Sequence, residues 1–329
     1  MKKVMFSVDD VADKIDNGER LLLAGDEALL SSLPNGTWIG GTIPYFMAEN
    51  GGKFDEKKIF VTSFPDYVNL AAINQYNERS LRNVYTDIPD NGIGFIMMPA
   101  TSQTHLSFSL NAPNYSNFAL HPLIGWITGV NLAELGQKTA KIVNGESGEV
   151  LDDGALVMQL QLPPGKIAEV NIVNVFEQGD GDVLVFPENG FQVKDALING
   201  VKRNFAEYLL ENSTDTRLPL VADYYGVNVN VSFQNINEAE GVVNLYAPVF
   251  KSIEYGQAKP VGDYVQRFSE NRPKESIEKI VFSCNCILNY LYSDLENRQT
   301  AGVMGPITFG EIAYQLLNQT LVYVTIDDV

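Results

Sequence analysis

Short apolar runs of strand length recur along the chain and restrict it to a strand-rich fold. Residues 59–64, 94–98 and 123–127 are such runs, and turn residues separate them. Runs of about four to eight apolar residues bounded by turn signals are typical of buried strands. Residues 227–233 alternate strictly between apolar and polar side chains, which predicts a half-buried antiparallel strand. Residues 170–176 and 183–186 flank Gly-Asp-Gly-Asp, which predicts a hairpin with a turn rather than a calcium loop.

Helix signals are fewer and lie between these runs. Ser7 precedes Val-Asp-Asp, and Asp26 precedes a leucine-rich stretch, so each residue is predicted to cap a helix. Apolar residues every four positions across residues 197–209 predict an amphipathic helix. A further helix is expected over residues 261–268, and another is expected to begin near Thr104.

These patterns predict an α+β fold with antiparallel-rich sheets covered by helices. A chain of 329 residues is long enough for two domains or for one large layered domain. We divide it into two pseudo-related halves, residues 1–163 and 164–329, at the Pro-Pro-Gly segment, although that segment fits a hairpin connection equally well. Residues 40–46 and 305–311 share glycine, proline, threonine and an aromatic residue, and we expect the two segments to lie close together.

The charge of the chain excludes some partners. It carries 41 acidic against 23 basic residues, a formal net charge of −18. Phosphate backbones and anionic membrane surfaces attract positively charged proteins, so neither nucleic acid nor a membrane is an expected partner. The sequence also lacks a run of about 20 apolar residues or an apolar signal-peptide stretch, so we expect a cytoplasmic protein.

Cysteine and histidine are scarce. Cys284 and Cys286 are too close in sequence for an unstrained disulfide and are expected to be free thiols. With only His105 and His121 as further soft ligands, no metal site is predicted, and structural roles are favoured for both histidines. The sequence contains neither of the common glycine-rich motifs that bind phosphate groups, and no cofactor is predicted.

Three functional hypotheses are compatible with the sequence, and the Cys284-Asn285-Cys286 segment bears on two of them. Both sulfur atoms would share one face of a strand, where they could line a pocket or fill a core. Cys284 could instead be the nucleophile of an enzyme if a cation or one of the histidines lowered its thiol pKa. A third interpretation, independent of this segment, is a scaffold that binds another protein through its acidic surface.

The C-terminal segment resembles FIST proteins. Residues 302–313 read Gly-Val-Met-Gly-Pro-Ile-Thr-Phe-Gly-Glu-Ile-Ala, which is similar to the aromatic-Gly-Glu-Ile closing motif of that family. Residues 318–320, Asn-Gln-Thr, match the strand that follows the motif, and residues 282–284, Phe-Ser-Cys, match an upstream strand. Asn285 and Cys286 depart from the Gly-Arg pair that is usual after that cysteine, and the following segment is short. The N-terminal part resembles the family only through Trp38–Thr42.

The resemblance implies a non-catalytic sensor of small ligands, such as amino acids, in intracellular signal transduction, with a signalling protein as a further partner. It places the ligand between the halves, where backbone amides and hydroxyls would hold an acid group and Glu311 would pair with an amine. The candidate ligand-binding residues are Gly40, Gly41, Thr42, Cys284, Asn285, Thr308, Gly310 and Glu311.

Overall fold

The structure is a computed structural model that describes residues 3–224, 227–271 and 277–329. Six α-helices lie within these residues: α1 Val8–Asp16, α2 Glu27–Leu30, α3 Gln103–Asn111, α4 Phe205–Glu211, α5 Tyr264–Glu270 and α6 Ile287–Tyr292. Short 3₁₀ helices cover Leu81–Asn83, Ala112–Asn114, Leu132–Glu134 and Ile277–Lys279. No helix in the described ranges has both the length and the apolar character needed to cross a membrane.

Strands dominate the described residues. In chain order they are β1 Met5–Phe6, β2 Leu21–Gly25, β3 Trp38–Thr42, β4 Tyr45–Ala48, β5 Gly51–Phe54, β6 Ile59–Ser63, β7 Asn69–Tyr76, β8 Gly92–Pro99, β9 Leu123–Thr128, β10 Ile142–Asn144, β11 Glu149–Leu151, β12 Ala155–Gln161, β13 Lys166–Val173, β14 Leu184–Val185, β15 Gly190–Val193, β16 Asp195–Ile198, β17 Val201–Asn204, β18 Leu220–Tyr224, β19 Val227–Val231, β20 Phe233–Asn237, β21 Val242–Val249, β22 Glu254–Gln257, β23 Ile280–Cys286, β24 Gly305–Thr308, β25 Glu311–Ala313, β26 Gln315–Leu317 and β27 Leu321–Asp328.

The strands form five sheets. Sheet 1 has the order β1-β6-β2-β3-β10-β11, and sheet 2 has the order β26-β25-β9-β8-β12-β7. Sheet 3 is β13-β27-β23-β24-β4-β5, sheet 4 is β17-β16-β14-β22-β18-β19, and sheet 5 is β15-β21-β20. Most pairs are antiparallel, whereas β2 with β3, β8 with β9 and β23 with β24 are parallel. The predicted α+β class with antiparallel-rich sheets is confirmed.

Three apolar cores hold these layers together. The largest lies among sheets 1, 2 and 3 and includes Ile39, Trp126 and Phe282. A second core covers the other face of sheet 2 and joins it to sheets 4 and 5, for example through Ile127 and Phe205. The third lies between α1, α2 and the outer face of sheet 1. Alternate residues of the central strands therefore enter different cores, as strand geometry requires.

The segments 1–163 and 164–329 share two of the sheets. Sheet 2 combines β7, β8, β9 and β12 with β25 and β26, and sheet 3 combines β4 and β5 with four strands from beyond residue 163. Among the described residues, sheet 1 lies within 1–163, and sheets 4 and 5 consist of the consecutive strands β14 to β22 within 164–329. The idea that the two halves are pseudo-related stays a prediction.

The helix predicted over residues 197–209 is wrong in its first half. Ile198 ends β16 and Val201 begins β17, and the two residues are paired in an antiparallel hairpin. Asn199 and Gly200 have φ angles of 49° and 83° in the turn between them. An Asn-Gly pair with two positive φ values is typical of tight hairpin turns, and this local preference overrides the four-residue spacing. The helix begins only at Phe205, with Asn204 as its cap.

The hairpin predicted around Gly179-Asp180-Gly181-Asp182 is also wrong. β13 pairs along its whole length with β27 near the C-terminus, whereas β14 pairs with β16 and β22. The apolar pattern identified strand segments on either side of this turn sequence, but it carried no information about their partners. Long-range pairing with a strand more than a hundred residues away decides the topology here.

Candidate functional site

An open cleft of about 310 Å³ lies where three strands end. The parallel strands β2 and β3 and the strand β9 all point their carboxyl ends at it. In open α/β sheets, crevices outside the carboxyl ends of parallel strands are the usual ligand sites. The cleft is lined by Gly25, Asp26, Glu27, Ala28, Ser31, Thr42, Ile43, Pro44, Gly129, Val130, Asn131, Glu134, Lys138 and Thr139.

The cleft is acidic but contains one cation. Asp26, Glu27 and Glu134 contribute carboxylates, and the Lys138 Nζ lies 2.9 Å from an oxygen of Glu134. The hydrogen bond with Glu134 raises the pKa of the Lys138 ammonium group, and the nearby charges of Glu134, Asp26 and Glu56 raise it further. The cleft can therefore offer carboxylates to an ammonium group and an ammonium to a carboxylate.

Local hydrogen bonds set the shape of the cleft. Asp26 follows the last residue of β2 and caps α2, accepting a 2.9 Å hydrogen bond from the Ala28 amide, as its sequence context predicted. On the opposite wall, the Asn131 side chain accepts from the Ala133 amide and donates to Glu56. These capping contacts satisfy backbone donors and hold in place the backbone that carries the acidic side chains of the cleft.

Thr42 is the one predicted ligand residue that lines the cleft. Its hydroxyl accepts a 2.8 Å hydrogen bond from the Lys141 amide and lies 3.3 Å from the Lys141 carbonyl oxygen. Its own carbonyl accepts a 2.7 Å hydrogen bond from the Gly129 amide. Thr42 therefore joins the two walls of the cleft through hydrogen bonds that are already made within the chain.

Gly40 and Gly41 face opposite sides of sheet 1. A Cβ on Gly40 would lie 3.1 Å from the Trp38 ring, on the face toward α2. A Cβ on Gly41 would lie 2.5 Å from the Thr128 methyl group and 3.0 Å from the Trp126 indole nitrogen. Both glycines permit close packing of buried layers, and neither lines the cleft.

The C-terminal candidates come together in a buried polar cluster around Glu311. The Glu311 side chain is fully buried, and its Oε2 accepts hydrogen bonds from the Thr320 hydroxyl at 2.8 Å and the Thr320 amide at 3.2 Å. Oε1 lies 3.4 Å from the Thr308 hydroxyl. Burial raises the pKa of Glu311 to about 8, although its hydrogen bonds with Thr320, Cys286 and Thr308 oppose the rise.

The cysteine segment borders this cluster. Cys284 and Cys286 are free and almost fully buried, and the Cys284 thiol lies 3.4 Å from the Gly125 carbonyl oxygen. The Asn285 side chain accepts hydrogen bonds from the Cys286 amide at 2.8 Å and from the Asn289 side chain at 2.9 Å. Asn285 therefore links the end of β23 to the first turn of α6.

These surroundings do not suit thiolate chemistry. Burial raises the thiol pKa of Cys284 and of Cys286 well above the ordinary range, and the nearby Glu311 raises both further. A nucleophilic cysteine needs the opposite environment, an accessible thiol beside a positive charge. His105 accepts a hydrogen bond from the Thr101 amide through Nδ1 and packs against Phe191.

The two groups of predicted residues lie on either side of β9. Gly310, beside the buried cluster, accepts a 2.8 Å hydrogen bond from the Ile127 amide, and the Phe309 amide donates to the Ile127 carbonyl. Two residues further along, Gly129 donates to Thr42 at the cleft. The expected proximity of segments 40–46 and 305–311 is confirmed, because Pro306 on β24 is paired with Phe46 on β4.

Sequence reasoning missed most of the cleft. Asp26 was identified only as a helix cap, and Asn131, Glu134 and Lys138 were not singled out. Asp26 follows β2 directly, and the other three residues lie in the segment after β9, so a signal existed in polar residues after buried strands. This signal could predict a site only if it were already known that the ends of β2 and β9 meet. Thr320, the main partner of Glu311, was noted only as part of the family resemblance.

The fold and the cleft define an α+β protein of stacked sheets with an acidic cleft at the carboxyl ends of parallel strands. The chain belongs to DUF6976, a family of unknown function whose model matches residues 6–327. A search of the curated proteins finds no match. The resemblance of the C-terminal segment to FIST proteins stays a prediction.

Proposed function

We propose that this protein binds a small amino-acid-like molecule with a net positive charge in the cleft between Asp26 and Lys138. The observation that carries the proposal is the cleft itself, which places three carboxylates and one ammonium around about 310 Å³ at the ends of parallel strands. A sensory role in cytoplasmic signal transduction, with a signalling partner, is the use that the C-terminal resemblance suggests.

The charges of the cleft support this ligand class. Asp26, Glu27 and Glu134 outnumber Lys138, so a cationic ligand gains more than an anionic one. A ligand carboxylate would pair with the Lys138 ammonium, and ligand ammonium groups would pair with the acidic side chains. The net charge of −18 acts in the same direction, although physiological salt screens charges beyond about 8–10 Å.

Glu311 is not part of the proposed site. Its carboxyl group is fully buried and hydrogen-bonded to Thr320, so it does not serve as the ammonium partner in this arrangement. Thr308 and Cys284 lie beside it in the same buried cluster. Of the residues predicted from the sequence, the proposal retains Thr42 as a wall of the cleft. Ligand binding should therefore be insensitive to Glu311→Gln at neutral pH.

Thermal shift and calorimetry with L-lysine, putrescine, L-leucine and L-glutamate test the proposal. A ligand that binds only the folded state adds about 2.7 kcal/mol to the free energy of unfolding at a hundredfold excess over Kd. We expect L-lysine to raise the melting temperature most and L-glutamate least. A larger response to putrescine than to L-lysine would rule out the amino-acid assignment.

Charge-neutralising variants locate the site. Asp26→Asn keeps the helix cap, because asparagine caps as well as aspartate, and removes one carboxylate. Asp26→Asn and Glu134→Gln should each weaken L-lysine binding by about threefold to tenfold. Glu188→Gln, which neutralises an exposed carboxylate outside the cleft, is the matched control. Absence of any response in the wild type, or equal responses in all three variants, would refute the proposal.

A further inference from the structure

The hydrogen-bond pattern around Glu311 favours a protonated carboxyl group. The Thr308 hydroxyl can donate only one hydrogen bond, and two carbonyl oxygens are available to receive it, those of Gly310 at 3.2 Å and Asn285 at 3.3 Å. The contact of Thr308 with Glu311 Oε1 is then satisfied if the carboxylic acid donates to the hydroxyl. Oε2 remains the acceptor for both donors of Thr320.

The groups that face Glu311 determine whether its buried carboxyl group can carry a charge. The titratable groups that face Glu311 are the thiols of Cys284 and Cys286 on β23 and the hydroxyl of Tyr264 on α5. Across residues 3–224, 227–271 and 277–329, no lysine, arginine or histidine forms a salt bridge with Glu311. An unpaired carboxylate at zero exposure is strongly unfavourable, so the neutral acid is the form that fits.

The Glu311 cluster joins several strands. Thr308 ends β24, Glu311 begins β25, and Thr320 directly precedes β27. The backbone between Thr308 and Glu311 also holds β9, because Phe309 and Gly310 exchange hydrogen bonds with Ile127. We call the meeting point of β9, β24, β25 and β27 the Glu311 junction.

We propose that the Glu311 junction is a proton-sensitive device: Glu311 keeps its proton while the junction is closed and releases it when the junction opens. Rising pH therefore favours the open form. This inference is independent of ligand binding in the cleft, because the hydrogen-bond partners of Glu311, which are Thr308, Cys286 and Thr320, do not line the cleft.

The direction of the pH effect on opening, and the pH range in which it acts, follow from the difference in proton binding between the closed and open forms. An exposed glutamate releases its proton near 4.5, whereas burial raises the pKa of Glu311 to about 8. Between these values the closed form holds more protons than the open form, so raising the pH favours opening. The opening equilibrium constant should rise by about tenfold per pH unit across most of this interval and level off above it.

Hydrogen exchange of the Thr320 amide measures this opening, because that N–H donates to Glu311. After correction for the intrinsic exchange rate, the opening constant in the wild type should rise by about a hundredfold between pH 5 and 7. Glu311→Gln mimics the protonated acid, with its N–H₂ donating to Thr308 and its oxygen accepting from Thr320. We expect this variant to abolish the pH dependence, whereas Glu254→Gln, an exposed strand carboxylate, should retain it.

A second measurement covers the case in which Glu311→Gln does not fold. The ¹³C shift of the Glu311 carboxyl carbon in the labelled wild type should report a protonated acid at pH 7. A carboxylate shift at pH 7 would overturn the proposal. So would an opening constant that is flat or falls with rising pH, or a Glu311→Gln variant that keeps the wild-type dependence.

Discussion

Gly305 on β24 packs its backbone directly against the carbonyl oxygen of Ser283 on β23. A Cβ at Gly305 would lie only 2.0 Å from that oxygen. On its other side Gly305 is paired with Met47 on β4, so this close approach lies where the N-terminal part of the chain enters sheet 3. The Ser283 hydroxyl adds a 2.7 Å hydrogen bond to the Met304 carbonyl oxygen.

Gly305→Ala should therefore destabilise the protein severely. A backbone oxygen cannot move aside as a flexible side chain can, and overpacking of a well-packed core costs about 1–3 kcal/mol or more. We expect a loss of about 3 kcal/mol in the free energy of unfolding, measured by urea titration. Gly181→Ala is the control, because a Cβ there meets nothing within 4 Å. Equal midpoints for the two variants would contradict the close approach.

Gly200→Ala tests a different mechanism, backbone strain without a clash. Gly200 has a φ of 83°, and nothing lies within 4 Å of a Cβ placed there. A left-handed conformation costs an ordinary L-residue about 1–2 kcal/mol. The same urea titration should give a loss of that size, between the values for Gly305→Ala and Gly181→Ala. A neutral result would indicate that the β16–β17 turn adopts another conformation in solution.

Local signals in the sequence predicted local structure well. Ser7 caps α1 through a capping box and Asp26 caps α2, because a cap depends only on residues a few positions away. The strand predicted over residues 227–233 is confirmed as β19 as far as Val231, and Phe233 begins β20. The helix predicted over residues 261–268 occurs as α5, shifted to Tyr264–Glu270.

Features that depend on residues far apart in the sequence were mostly not predicted. β13 matched a strand pattern, but its pairing with β27 is a property of the whole fold. The same holds for the site, because Lys138 and Asp26 meet only when β2 and β9 end at one place. The shared glycine, proline, threonine and aromatic composition did predict that segments 40–46 and 305–311 meet, and Pro306 is paired with Phe46.

We predict that both thiols are free and are inaccessible in the folded state. Cys284 and Cys286 are each about 1% exposed, and burial raises both thiol pKa values. A thiol-reactive dye should therefore label the native protein slowly, at the rate at which the structure opens, and should label two thiols at once in denaturant. Fast labelling of native protein at neutral pH would contradict this burial, and fewer than two thiols in denaturant would indicate oxidation.

Stability should also depend on His105. Burial lowers the pKa of His105 to about 4, against about 6.5 for an exposed histidine. Between these values the unfolded chain binds more protons than the folded protein, so stability falls as the pH drops from about 6.5 toward 4. The slope from this one group approaches about 1.4 kcal/mol per pH unit. Glu311 acts in the opposite direction above about 4.5, so the two effects offset each other between about 4.5 and 6.5.

Variants separate the two opposing contributions. His105→Asn keeps an acceptor near the position of Nδ1 for the Thr101 amide and removes the titrating ring. Without His105, the free energy of unfolding should fall as the pH rises from 4.5 to 6.5, because His105 no longer offsets the Glu311 contribution. With Glu311→Gln alone it should rise over the same interval. Urea midpoints at half-unit pH steps measure the wild type and both variants, and parallel curves for His105→Asn and the wild type would show that His105 is not buried as a neutral ring.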